Sequence, residues 1–198
     1  TYVDPAGSTL TIVLNRLLHM EQQGAKIPWE KVHYLDLTPS SEYPVGLNLL
    51  HRTVGEDNAN VAGDVLALIK SAYGGETPKT DRFIENGVMT LLDDQAREHT
   101  ILGLVSILQY PALRETIHVS DPLVQEFWDM DGEDIKAGEL GALQNRLRPI
   151  LQNLAMRRIF GQTRWSLDLL RWMDEGHIIL INTLNLEPKN VGLVGGQV

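Results

Sequence analysis

The sequence predicts an α/β fold in which a parallel sheet is interrupted by a large all-α insertion. Three observations carry this reading. The chain opens on a strand-like run that stops at an acid, Tyr2-Val3-Asp4, followed by Pro5-Ala6-Gly7. A second apolar run near the far end, Ile178-Ile179-Leu180-Ile181, stops at Asn182. Between 56 and 162 the apolar residues recur with helical rather than strand spacing. The division expected is 1–55 for the first part of an α/β core, 56–162 for the helical insertion and 163–198 for the return to the core.

The elements follow in order. Tyr2 to Asp4 reads as a buried strand. Ser8 is a good N-cap, Leu10, Val13, Leu14, Leu17 and Leu18 follow at helical spacing, and Gly24 stops the helix. After Pro28, Val32 to Leu37 reads as a short strand and Thr38-Pro39-Ser40-Ser41 as a turn. Strand, helix, strand is the start of a parallel sheet. Pro44 to Leu50 is an extended connector. Val61, Val65, Leu68 and Ile69 then mark a helix ending at Gly74-Gly75. Thr77-Pro78 starts another, with Phe83, Ile84, Val88, Leu91 and Leu92 on its inner side. Ile101 to Leu108 is a short helix, and Pro111 and Asp121-Pro122 open two more. Ile135 to Leu154 reads as one long helix, with Pro149 as the place for a kink. Ala155 to Phe160 either continues it or forms a short one, ended by Gly161. Ser166-Leu167-Asp168 caps a helix through Met173, and His177 to Thr183 returns to strand. That unbroken apolar run suits a parallel strand covered on both faces. Pro188 to Val198 looks like the start of a further helix.

Composition narrows the functional classes. The 198 residues are 43% apolar and 22% charged, which is globular usage. With 26 acids against 17 bases the net charge is -9, and an acidic surface repels a phosphate backbone, so the chain is a poor stand-alone binder of nucleic acid. The absence of cysteine excludes disulfides and thiolate metal sites. No apolar run reaches membrane-spanning length and no leader opens the sequence. Thr1 followed at once by a strand suggests a piece of something longer.

Several motifs invite chemistry. Asp4 and Asn182 stand at carboxyl ends of strands, where open α/β sheets bind ligands. They could line a nucleotide site, polarising water or orienting a metal-bound phosphate. The plainer reading, which the pattern favours, is that Asp4 caps the next helix and Asn182 closes a turn. Gly74-Gly75-Glu76-Thr77-Pro78-Lys79-Thr80 looks like a phosphate loop but has Pro78, which lacks an N–H, where the loop needs glycine. Asp174-Glu175 resembles a magnesium-binding acid pair but precedes its strand instead of ending it. The six histidines (19, 33, 51, 99, 118 and 177) form no His-x-x-x-His pair, so no metal site is expected. Arg146, Arg148, Arg157 and Arg158 form a basic cluster, either solvated helix surface or a reach toward a neighbouring subunit's nucleotide or a DNA phosphate. Phe127, Trp128, Trp165 and Trp172 read as packing residues.

Taken together, these pieces resemble a known family. Val3-Asp4-Pro5-Ala6-Gly7, then Tyr34-Leu35-Asp36, then Tyr43 to Leu50 is similar to the segment after the phosphate loop in TraG/TraD-type ATPases. These are the coupling proteins of conjugation and type IV secretion, within the HerA/FtsK superfamily of P-loop NTPases. Pro78-Lys79-Thr80-Asp81 with Asn86 resembles the family's Gly-Pro-Arg-x-Glu…Arg-Asn helix start, and Phe127-Trp128 its Phe-Trp. Asn145-Arg146-Leu147 and Arg157-Arg158-Ile159-Phe160-Gly161-Gln162 resemble Asn-Lys-Leu and Leu-Arg-Asn-Ile-Leu-Gly-Gln. Asp174 to Asn182 resembles Asp-Glu-Gly-Lys-Ile-Leu-Leu-Val-Asn. The match is spread over nearly the whole chain, in order.

The resemblance implies a partial P-loop NTPase sheet in a hexameric motor that uses ATP and magnesium to move DNA or protein. The region 56–162 would be the family's all-α domain, which meets relaxase or effector cargo in the cytoplasm, at the inner face of the membrane, through an anchor outside this chain. DNA would pass through the assembled ring. Asp4, Gly7 and Asn182 would lie near the nucleotide, and Arg157, Arg158 and Gln162 would serve phosphate or inter-subunit contacts. The phosphate loop is expected before Thr1 and the magnesium acid after Val198, so the chain alone should bind no ATP and no metal. Three positions depart from the pattern: Ser8 replaces an acid, Thr77-Pro78-Lys79 replaces Gly-Pro-Arg, and Glu85 replaces the arginine before Asn86. Two other functions stay open: a non-catalytic helical module that recruits cargo, with its acidity favouring basic protein partners, or a degenerate scaffold.

Overall fold

Three parallel strands, β1 (Tyr2–Asp4), β2 (Val32–Asp36) and β3 (Ile178–Asn182), form a sheet in the order β1-β3-β2 in the computed structural model, which describes residues 1–74, 78–132 and 137–195. The apolar run of β3 takes the central place, where a strand is covered on both faces, and four of its five residues are buried. β1 is an edge strand instead of a buried one. Tyr2 and Val3 are 44% and 47% exposed, and only Asp4 is buried.

Helix α1 (Ser8–Gln22) follows β1 and rests on β1 and β3. Its cap differs from the sequence expectation. Gly7 occupies the N-cap position with φ 73°, and the side-chain cap comes from Asp4, not Ser8. Of its predicted inward residues only Leu10 is buried, because the sheet covers just the start of the helix.

Between β2 and β3 the described chain is helical. The elements are α2 (Asn58–Tyr73), α3 (Pro78–Asp93), α4 (Gly103–Gln109), α5 (Pro111–Arg114), α6 (Pro122–Asp131), α7 (Ala137–Gln152), α8 (Leu154–Phe160) and α9 (Leu169–Asp174). α10 (Pro188–Gly195) follows β3. The architecture is therefore mixed α/β, mostly helical, on a small parallel sheet. Gly75, Glu76, Thr77, Ile135 and residues 196–198 lie outside the described residues.

One helix spans the expected region and runs on through Pro149, and of the two readings of Ala155–Phe160 the separate short helix holds. α7 ends at Gln152, soon after Pro149, and Asn153 caps α8 by accepting the Met156 N–H at 3.2 Å. Pro149 lies inside α7 without ending it; the break comes at Asn153, whose extended backbone lets its side chain cap the next helix. Ser166 does not cap α9. It bonds Gly46 instead, and Asp168 holds the cap position without a side-chain bond.

α3 is the hub of the helical part, packing on α2, α4, α6 and α7. Phe83, Ile84, Val88, Leu91 and Leu92 are all buried along its inner side, as their spacing predicts. Phe127 stands edge-on to Phe83 and Trp128, with centroids 5.4 and 4.9 Å apart. The Trp128 indole N–H donates to Thr90 Oγ1 at 2.8 Å, so a buried polar edge is satisfied. The core is continuous. It runs from Leu35, Ile179 and Ile181 on one sheet face, through Val45, Leu47, Leu49 and Leu50 of the connector, into the helices.

Candidate functional site

Parallel register lines up three polar residues at the carboxyl edge of the sheet. Asp4 pairs with Asn182, and Asp36 pairs with the same Asn182 from the other side. Residues in register share a face, so all three point to the α1 side with Leu180. Leu10 of α1 and Leu180 are buried there, apart from the main core. α10 packs on α2, and its Val194 belongs to the same core cluster as Leu35, Ile179 and Ile181, which excludes Leu10 and Leu180. Neighbouring strands β1 and β3 thus send their following segments to opposite faces. This is the switch point at which open α/β sheets hold ligands.

The loops at this crevice are firmly built. The Asp4 carboxylate accepts the N–H groups of Ala6 at 3.0 Å, Thr9 at 2.8 Å and Leu10 at 3.0 Å. Burial pushes this carboxyl up, and the N–H groups of Leu10, Ala6, Thr9 and Gly7 outweigh it, so it lies below the ordinary carboxylate range. Two features favour glycine at position 7. Its φ is +73°, and a Cβ there would stand 3.1 Å from Leu184 Cδ2 and 3.2 Å from Leu184 Cβ, so that side chain would have to shift slightly. Asn182 accepts the Leu184 N–H at 3.0 Å and donates to the Tyr34 hydroxyl at 3.0 Å. Asp36 accepts the Thr38 N–H at 3.0 Å. The Thr183 N–H donates to the Asp4 carbonyl at 3.1 Å, and the Leu37 N–H to the Asn182 carbonyl at 2.9 Å.

Chemically, Asp4 and Asn182 are anchors here. The plainer sequence reading, helix cap and turn closure, describes their bonds. A carboxylate that takes three N–H groups is a poor general base, but it holds the β1–α1 turn rigidly beside the crevice. Sequence reasoning missed Asp36 and Thr183. The signal for Asp36 was available, since it ends its strand just as Asp4 does. Among the described residues no group of three or more His, Asp or Glu side chains is arranged to hold a metal.

The four arginines do not form one cluster. Arg146 is buried, and its guanidinium donates to Asp81 Oδ1 at 2.5 Å while Lys70 Nζ donates to Oδ2 at 3.0 Å. Burial raises the Asp81 carboxyl, and the bonds and charges of Arg146 and Lys70 outweigh it and hold it below its usual 3.8. Arg148 lines a small cavity of about 240 Å³ with Val105, Gln144, Asn145 and Leu151. Arg157, Arg158 and Gln162 do come together, in an open groove of about 530 Å³ beside Glu42, Tyr43 and Pro44. Arg158 donates to the Ser41 carbonyl at 3.3 Å and Gln162 to the Pro44 carbonyl at 3.0 Å, so both pin the loop that leaves β2.

The remaining motifs resolve as follows. Gly74 closes α2 at φ 65° and Pro78 opens α3, which is a helix boundary; the rest of the phosphate-loop look-alike lies outside the described residues. Asp174-Glu175 ends α9 ahead of β3. Trp165 stacks on His51 and Trp172 on His33, both packed against the core. His33 and His177, far apart in sequence, meet at 2.7 Å, which no local spacing signals. Among the described residues no helix is long and apolar enough to cross a membrane. No protein-family model, curated protein or solved structure matches this chain.

Proposed function

We propose that this chain is part of an ATP-driven translocation motor of the TraG/TraD coupling type, a P-loop NTPase core bearing a helical lobe. One observation carries the reading. Asp4, Gly7 and Asn182, the residues that the resemblance puts near nucleotide, converge at a switch point between neighbouring parallel strands. ATP and magnesium would be held mainly by a phosphate loop and an acid outside this chain, with the β1–α1 turn forming one wall. Arg157 and Arg158 would face phosphate or a neighbouring subunit from their groove, in a hexameric ring through which DNA passes.

Two measurements test this. Translating the coding sequence on both sides is expected to reveal Gly-x-x-x-x-Gly-Lys-Ser/Thr ahead and an apolar run ending Asp-Glu behind; flanks without either overturn the motor. The 198-residue chain is expected to show no magnesium-dependent ATP turnover, and robust turnover defeats the division of labour.

A second reading, a helical module recruiting protein cargo such as a relaxase or effector, is favoured by the groove between α5 and α6. It measures about 550 Å³, has Trp128 at its wall and carries Glu115 and Asp129 alongside Arg114 and His118. With a net charge of -9, its complement is a basic peptide. Titrating an oligolysine peptide into the full chain is expected to shift amide signals of α5 and α6 selectively; shifts elsewhere only, or none, count against it.

A further inference from the structure

We propose that His33 and His177 form a proton-operated clamp that fastens the amino ends of β2 and β3 to α9 and opens when both imidazoles carry a proton. The register of β2 on β3 sets Val32 opposite Ile178 and His33 opposite Ile179, which brings the two rings together at the amino end of the sheet. His33 Nε2 lies 2.7 Å from His177 Nδ1, with the ring planes within 7° and the centroids 5.0 Å apart. His177 Nε2 lies 3.0 Å from Glu175 Oε2. Trp172 of α9 stacks on His33 at 3.7 Å, and the His177 N–H donates to the Trp172 carbonyl at 2.7 Å. The charged groups around the pair are Glu175, Arg171 and Lys31. Arg171 donates to Glu175 Oε1 at 2.8 Å, and Lys31 donates to the Glu175 carbonyl at 2.9 Å.

Proton counting gives the mechanism. In the neutral pair, His33 Nε2–H donates to the His177 Nδ1 lone pair, and His177 Nε2–H donates to Glu175. One added proton is tolerated: a charged ring still donates to its neutral partner, and the Glu175 carboxylate balances the charge. A second proton leaves two N–H groups and two like charges face to face, so the contact must open. The nitrogens are too close for a metal ion between them, since zinc needs about 2 Å to each. Opening removes the ring-to-ring tie between the amino ends of β2 and β3, while the backbone bond from His177 to Trp172 stays.

The sign of the pH effect follows. Burial, and then the neighbouring His177, hold the His33 imidazole below its ordinary 6.5. The unfolded chain therefore binds this proton more readily. The contribution to stability is full above pH 6.5 and is lost as pH falls below it.

The test compares the full chain with His33→Phe, which keeps the stack on Trp172 but cannot be protonated, and with His177→Gln. Thermal unfolding between about pH 8 and about pH 5 is expected to show the native sequence losing roughly 5 °C more than His33→Phe. Histidine ring signals in the native chain are expected to move together, in two coupled steps. Equal pH slopes in both proteins, or two rings that titrate independently in single steps, overturn the clamp. If His33→Phe does not fold, His177→Gln and the ring titration decide.

Discussion

Asp81→Ala is expected to remove about 3 kcal/mol of stability, read as a lower urea midpoint at unchanged slope. Asp81 of α3 sits between Arg146 of α7 at 2.5 Å and Lys70 of α2 at 3.0 Å, so one carboxylate joins three helices. Arg146 is 8% exposed. Alanine takes an anion away from two cations that face it, and the cost of a buried charge exceeds the modest worth of a surface pair. Because the carboxyl lies below its usual 3.8, its contribution is present above that pH and is lost as pH falls through the lowered folded value. Stability of the native chain therefore keeps this term well into mild acid. A loss below about 1 kcal/mol would assign the triad to the solvated class and overturn the reading.

Gly46→Val is expected to cost about 3 kcal/mol, again measured by equilibrium unfolding. A Cβ at this position would stand 2.8 Å from the Arg164 carbonyl oxygen, 2.9 Å from Gln162 Oε1 and 3.1 Å from Ser166 Oγ. The nearest atom is backbone, which cannot swing aside as a side-chain tip can. The close approach exists because Gly46 exchanges bonds with Ser166: its N–H donates to Ser166 Oγ at 2.7 Å, and its carbonyl accepts the Ser166 N–H at 3.0 Å. Valine must push the 44–47 connector away from 162–166. That also pulls Pro44 from Gln162, and Leu47 from the Ile159 carbonyl that its N–H reaches at 3.0 Å. The groove holding Arg157 and Arg158 should deform with it. A variant as stable as the native chain would show that the two segments are free to part.

The two predictions concern joints of different legibility. The helices were readable because their signals are local. Phe83, Ile84, Val88, Leu91 and Leu92 repeat at helical spacing, and Pro78 and Pro122 mark first turns. The strands were readable from short apolar-rich runs ending in acids or Asn, unbroken only in β3, and their pairing in one parallel sheet was expected. Asp81 as the meeting point of Lys70 and Arg146 was not readable, since its partners lie 11 and 65 residues away. The four-arginine cluster misled for the same reason: proximity in sequence says nothing about which guanidinium turns inward.

The candidate site divides along the same line. Asp4 and Asn182 were visible as polar stops to apolar runs, and Gly7 was singled out only through the resemblance. Asp36 carried the same signal as a strand-ending acid, but that Leu184 closes over Gly7 and that His33 meets His177 came only from the tertiary arrangement.

By itself the sequence determined which segments are helix and strand, where most of them start and stop, and which side of α3 faces the interior. These are properties of periodicity, caps and turn residues within a few positions of one another. Only the tertiary structure decided that β1 lies at an edge, that Arg146 is buried against Asp81, and which polar groups share the crevice and the histidine clamp. Those outcomes depend on packing between segments far apart in the chain, where burial and charge pairing are settled by what arrives from elsewhere.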